Sequence, residues 1–72
     1  MHNMFFVEPK EGMWLIKSGN LYIGAYPTRE EALEFAIKRA QAKGFATQVL
    51  LAGEDRLFRT VWAGGKAFYS VH

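Results

Sequence analysis

The sequence predicts an α+β domain: an antiparallel sheet of about five strands with one helix packed on one face, in the order β-β-β-α-β-β. Two observations lead to this prediction. Only residues 28–44 combine the apolar spacing of a helix with its start and stop signals. The other apolar runs are short, rich in β-branched and aromatic residues, and bounded by Gly, Asn, Pro or Asp, as strands are.

The predicted helix has a recognisable beginning and end. Thr28 and Glu31 have the spacing of a capping box, which satisfies free N–H groups at a helix start. Gly44 suits the left-handed residue that ends a helix, and Phe45 is expected to make the apolar contact that accompanies such an ending. The stripe expected to face the sheet recurs at i, i+3, i+4 and i+7: Leu33, Ala36, Ile37 and Ala40.

Three strands are predicted before the helix. Residues 4–8 form the first, closed by Pro9, and residues 13–18 and 21–26 flank Gly19-Asn20, a dipeptide suited to a two-residue hairpin turn. A turn of this length fixes which residues share a face. One face is expected to carry Trp14, Ile16, Leu21, Ile23 and Ala25, and the other Met13, Leu15, Lys17, Tyr22 and Tyr26.

A second hairpin is predicted after the helix, from residues 47–52 and 57–62 around a polar turn at 53–56. Residues 64–72 begin with two glycines and either add a last strand or form a loose tail. A loop with an even number of residues is expected to place Val49, Leu51, Phe58 and Trp62 on one side of the sheet. The other side then carries Leu50, Leu57, Arg59 and Val61. The predicted core is Trp14, Ile16, Ile23, Leu33, Ala36, Ile37, Ala40, Val49, Leu51 and Phe58.

Composition limits the classes of protein that fit. Seventy-two residues leave room for one domain, residues 1–72, and half of them are hydrophobic. Without cysteine there is neither a disulfide framework nor a thiolate metal site. A net charge of +2 permits an anionic partner without implying one. The longest apolar runs are too short for a membrane span, which takes about 20 residues, so we expect a cytoplasmic protein without membrane contact.

Four segments of the chain follow a shared pattern. Residues 12–17 form a strand with Gly and Trp, residues 28–32 read Thr-Arg-Glu-Glu-Ala, alanines recur along the helix, and residues 49–55 are a Val-rich strand ending in a Gly/Asp turn. This pattern resembles a group of small bacterial domains of unknown function. The resemblance implies a compact α+β fold, loosely similar to double-stranded-RNA-binding-like folds, and no particular activity. Arg56 stands where members commonly have Gly, and residues 64–72 have no counterpart.

Catalytic chemistry is poorly supplied. The histidines, His2 and His72, lie at the two ends of the chain, and the glutamates of the helix start are explained by capping. Residues 64–66, Gly-Gly-Lys, lack the further glycine and the Ser/Thr of a phosphate-binding loop. We therefore predict no catalytic residue, no metal ligand and no cofactor.

The sheet face away from the helix is the candidate site. It is expected to carry an apolar area made by Met13, Leu15, Tyr22, Leu50 and Val61, and such patches mark protein interfaces. The prediction is a non-enzymatic interaction module that binds a protein partner or forms a homodimer. The alternative is a nucleic-acid-binding domain, because cations and aromatic rings on an open sheet can contact phosphates and stack on bases. The residues proposed for that role are Lys17, Tyr22, Tyr26 and Arg59.

Overall fold

The computed structural model describes residues 3–44 and 47–67, which form an α+β fold with one helix on one face of a six-stranded sheet. The strand order in the sheet is β3-β2-β1-β4-β5-β6. In chain order the elements are β1 (Asn3–Lys10), β2 (Met13–Ser18), β3 (Leu21–Tyr26), α1 (Arg29–Lys43), β4 (Thr47–Ala52), β5 (Phe58–Ala63) and β6 (Lys66–Ala67).

The sheet is mixed, so the prediction of a purely antiparallel sheet of about five strands is wrong in two respects. The central strands β1 and β4 run parallel, with Phe5 opposite Val49 and Val7 opposite Leu51. The cause is α1, which returns the chain from the end of β3 to the opposite end of the sheet. The strands β4 and β1 therefore begin at the same end and run in the same direction. The sixth strand, β6, lies in the segment that the sequence left open, and residues 68–72 lie outside the described part.

Pro9 does not end the first strand, as the sequence predicts, because β1 continues to Lys10 and pairs Pro9 with Trp14 of β2. Proline has no N–H to donate to a neighbouring strand. The pairing of β1 with β4 ends at Val7, so at Pro9 only β2 lies beside the strand. A central strand can therefore contain proline here, beyond the end of one neighbour.

The ends of α1 agree with the sequence. The backbone N–H of Glu31 donates to Thr28 Oγ1 at 3.2 Å, and Thr28 Oγ1 donates to Glu31 Oε1 at 2.9 Å. Gly44 has a φ of 110°, which only glycine adopts without strain, and its N–H donates to the carbonyl of Ala40. The predicted contact of Phe45 lies outside the described residues.

The first hairpin keeps the predicted register only near its turn. Lys17 pairs with Tyr22, but a bulge then shifts the pairing so that Ile16 lies opposite Gly24 and Trp14 opposite Tyr26. Tyr26 therefore faces the helix, where its ring lies 5.5 Å from that of Phe35. The prediction that Tyr26 shares a face with Tyr22 is wrong, because the bulge reverses the alternation of faces after residue 23.

The second hairpin has a loop of five residues, 53–57, and not the predicted four. The N–H of Gly53 donates to the carbonyl of Leu57 at 2.9 Å, and β5 begins with Phe58 opposite Ala52. One extra loop residue exchanges the faces, since side chains alternate along a strand. Phe58, predicted in the core, is 38% exposed on the side away from α1, and Arg59 lies opposite Leu51 on the helix side.

A bulge farther along β5 returns its later side chains to the core. The pairing shifts between Val49 and Leu50, so that Trp62 lies opposite Val49 and both Val61 and Trp62 are buried. Val61 was predicted on the face away from the helix, and the bulge is the reason why it is not there. The buried core is Phe5, Val7, Ile16, Ala32, Leu33, Ala36, Ala40, Val49, Val61 and Trp62, with Trp14, Ile23, Tyr26, Phe35, Ile37 and Leu51 partly buried against it.

Replacing Leu33 by Ala should lower the free energy of unfolding by ~2 to 5 kcal/mol, because it leaves a cavity between α1 and the sheet. Leu33 is 7% exposed, whereas Leu57 is 60% exposed and receives the same substitution as a control. We expect Leu57→Ala to change stability by less than about 0.5 kcal/mol. Urea unfolding measures both values, and equal stabilities of the two variants would contradict the packing of α1 described above.

Candidate interaction face

The sheet side turned away from α1, here called the open face, has an apolar strip at its centre. In β1 the side chains of Phe5 and Val7 are buried under the helix, so the alternate residues point to the open face. The same alternation holds in β2 and β4, and the pairing carries it into β5. The apolar strip consists of Met4, Phe6, Leu15, Leu50 and Phe58.

Two aromatic residues hold the strip together. The rings of Phe6 and Phe58 meet edge to face, with their centroids 5.1 Å apart and their planes at 82°. Phe6 and Leu50 are only half-buried although they stand on the two central strands, because no described element lies over them. Met13, the first residue of β2, adds a further exposed apolar side chain to this side.

A polar cluster, here called the Tyr22 cluster, adjoins the strip and consists of Tyr22 on β3, Lys17 on β2, and Glu8 and Lys10 on β1. Tyr22 is about half exposed, and its hydroxyl donates to Glu8 Oε2 at 3.2 Å. The Nζ atoms of Lys17 and Lys10 lie 5.5 and 6.0 Å from the centroid of the Tyr22 ring. Ammonium groups at this distance are attracted to the electron-rich ring face. The cluster therefore fixes two positive charges beside an exposed aromatic ring.

The structure brings together two of the four residues that the sequence proposed for nucleic-acid binding. Lys17 and Tyr22 lie in the Tyr22 cluster, whereas Tyr26 and Arg59 lie on the helix side of the sheet. Lys10 and Glu8 also lie on this face, although the sequence patterns did not predict them there. Lys10 lies beyond the predicted end of the first strand, and the residues of that strand, Glu8 among them, were not assigned to a face.

Arg59 is engaged within the second hairpin. Its Nη2 and Nη1 atoms donate to the carboxylate of Asp55 at 2.8 and 3.2 Å. Asp55 Oδ1 also accepts from the backbone N–H of Leu57 at 3.1 Å. The hydrogen bonds from Arg59, followed by the one from Leu57, lower the pKa of Asp55 to about 2. The Arg59–Asp55 ion pair holds the five-residue loop. It engages the Arg59 guanidinium, which was predicted from the sequence to contact nucleic acid.

Two shallow depressions, of about 420 and 510 Å³, lie where β1 and β4 end. Pro9, Ala52, Gly53 and Glu54 line both of them. Residues 3–44 and 47–67 contain no group of three or more His, Asp or Glu side chains that could hold a metal ion. His2 and His72 lie outside the described residues. In the same part of the chain, no helix is both long and apolar enough to cross a membrane.

Comparisons of the chain with protein-family models, with curated proteins and with solved structures find no match. The resemblance to small bacterial domains therefore stays a prediction. The open face has to be interpreted from its own geometry.

The titration of Asp55 tests the geometry of the second hairpin. A folded-state pKa of about 2, below the ordinary 3.8, means that this carboxylate stabilises the fold above pH 3.8. The contribution is lost as the pH falls through 2. Carbon-detected NMR of the side-chain carboxyl should give a midpoint near 2 in the wild type and a higher one in Arg59→Gln.

Arg56→Gln is the matched control, because it removes the same charge from the same hairpin, and Arg56 makes no hydrogen bond to Asp55 in the described structure. The Asp55 midpoint should stay near 2 in that variant. A wild-type midpoint near 3.8, or equal midpoints in all three proteins, would show that the Arg59 pair does not form in solution.

Proposed function

We propose that this protein is a small non-enzymatic interaction module that binds another protein chain through its open face. One observation supports this proposal above the others. The two central strands are parallel, and residues 4–7 and 49–52 are apolar on both sides, but α1 covers only one of these sides. Sheets made only of parallel strands are covered on both faces in known proteins, and their strands are apolar on both sides. The open face therefore has the composition of a buried layer and the exposure of a surface.

The strands themselves show this two-sided character. Residues 4–7 of β1 read Met-Phe-Phe-Val, and residues 49–52 of β4 read Val-Leu-Leu-Ala, without a polar residue in either run. A strand with one face in water usually alternates apolar and polar residues. Covering the strip would contribute about 25 cal/mol for each Å² of apolar surface removed from water. A protein partner supplies such a cover, and the Tyr22 cluster would lie at the polar rim of the contact.

We propose no catalytic role, because the hydrogen-bonded carboxylates have structural partners. Across the described residues, the carboxylates with a hydrogen-bond partner hold the helix start, the second hairpin and the Tyr22 cluster. None of these arrangements sets a nucleophile beside a base within a cleft, which acid–base and covalent catalysis require.

Site-specific photo-crosslinking tests the proposal. A photoreactive phenylalanine analogue is placed at Phe58 on the open face, and in a second variant at Lys38 on the exposed side of α1. Both proteins are expressed as full chains in the native host and irradiated. We expect covalent protein adducts from position 58 and few or none from position 38, because only the open face is proposed to contact another chain.

Adducts at twice the mass of the chain would identify a second copy, and adducts of another mass a different partner. Either result supports the proposed function. Equal labelling from both positions, or no protein adduct from position 58 in a folded variant, would contradict it.

Nucleic-acid binding is the second candidate, favoured by the two ammonium groups beside the Tyr22 ring. Its signature is affinity for oligonucleotides that falls steeply with salt. Under this alternative, the double variant Lys10→Gln/Lys17→Gln reduces the slope of log affinity against log salt concentration by about two. The control double variant Lys38→Gln/Lys43→Gln, on α1, leaves this slope unchanged. Absence of salt-dependent binding in wild-type protein would remove this candidate.

A further inference from the structure

We infer that the occupant of the open face is a second copy of this chain, related to the first by a twofold axis that runs parallel to β1 and β4. This inference rests on the proposed function, because it names the partner of the same face. The result would be two sheets stacked face to face with the two helices on the outside. Stacked sheets lie about 10 Å apart.

The register of the two central strands makes the strip complementary to itself. Phe6 of β1 lies opposite Leu50 of β4, at the same level in the sheet, and both strands run in the same direction. The twofold axis runs parallel to the strands, midway between β1 and β4 and midway between the two stacked sheets. Rotation about it leaves every residue at the same height along the strands. It therefore places Phe6 of each copy over Leu50 of the other. A twofold interface requires such self-complementarity of a single patch.

Charge selects this axis over the alternative. The axis along the strands brings β2 of one copy over β5 of the other, so that Lys17, at the level of Phe6, faces Thr60, at the level of Leu50. An axis at the same level but across the strands brings β2 over β2 and sets Lys17 against Lys17. Like charges held in direct opposition at an interface are destabilising.

A second charge relation points to the same arrangement. Lys10 stands three residues beyond Val7, and Glu54 stands three residues beyond Leu51, the partner of Val7 in the parallel ladder. Both residues thus lie toward the same end of the sheet, on opposite sides of the proposed axis. The rotation brings Lys10 of each copy toward Glu54 of the other, so that one pair of opposite charges forms twice across the interface.

The face is also large enough. The described part of the molecule measures 31 × 30 × 20 Å, and the open face is its broad side. A stable protein interface buries about 800 Å² on each partner. Most of one such face, centred on the apolar strip, supplies this area.

The first experiment is a solution mass measurement on the purified full chain. Sedimentation equilibrium over a range of concentrations should give the mass of a dimer for the wild type. It should give half that mass for Leu50→Lys, which buries a charge at the centre of the contact. Leu21→Lys is the matched control, since Leu21 is 68% exposed and lies off the apolar strip, and it should stay dimeric.

Circular dichroism verifies that each variant is folded. If Leu50→Lys does not fold, Leu15→Lys replaces it, because Leu15 belongs to the same apolar strip and lies on β2. A wild type that is monomeric at all concentrations would overturn the inference. Photo-crosslinks to a different protein would then still support the proposed function, whereas the absence of all protein adducts would contradict both.

The second experiment identifies the axis and exploits the absence of cysteine from the sequence. Lys17→Cys and Thr60→Cys are prepared separately and treated with a bismaleimide whose spacer is about 10 Å, the separation of stacked sheets. The mixture should crosslink, and each variant alone should crosslink much less. Crosslinking of Lys17→Cys with itself, and not with Thr60→Cys, would overturn the proposed axis. Lys38→Cys mixed with Thr60→Cys is the negative control, because Lys38 lies on the outer surface of α1.

Discussion

The parallel pairing of β1 with β4 is the constraint on which the rest of the structure depends. It joins two three-stranded antiparallel units, β1 to β3 and β4 to β6, into one sheet. It also places Phe5, Val7 and Val49 next to one another, and the small residues Ala32, Ala36 and Ala40 allow α1 to lie close above them. The helix is the connection that makes the parallel direction attainable, since parallel neighbours cannot be joined by a tight turn.

Local elements could be predicted from the sequence because their signals are local. The capping residues Thr28 and Glu31 and the stop at Gly44 fix α1, and Gly19-Asn20 fixes the first turn. The parallel pairing could not be derived in this way, since it joins residues that lie far apart in the chain. A signal was nevertheless present: the runs at 4–7 and 49–52 are apolar throughout, which is typical of strands covered on both faces.

The candidate site was predictable only in part, for a geometric reason. A single inserted residue exchanges the faces of a strand beyond it. The bulge between Ile16 and Lys17 in the β2–β3 pairing moved Tyr26 to the helix side, and the fifth loop residue moved Arg59 there and Phe58 to the open face. Lys17 and Tyr22 kept their predicted places because they lie between the turn and the bulge. The sequence thus identified the apolar open face but not all of the side chains that make it.

The central claim is the proposal that β1 and β4 are covered on both sides, by α1 on one side and by a second copy of this chain on the other. Thermal unfolding of the wild type over about a 100-fold range of protein concentration tests this claim most directly, because association with the folded state alone makes Tm depend on concentration. The account predicts a Tm that rises with concentration for the wild type and stays constant for Leu50→Lys. A wild-type Tm that is the same at every concentration would contradict it.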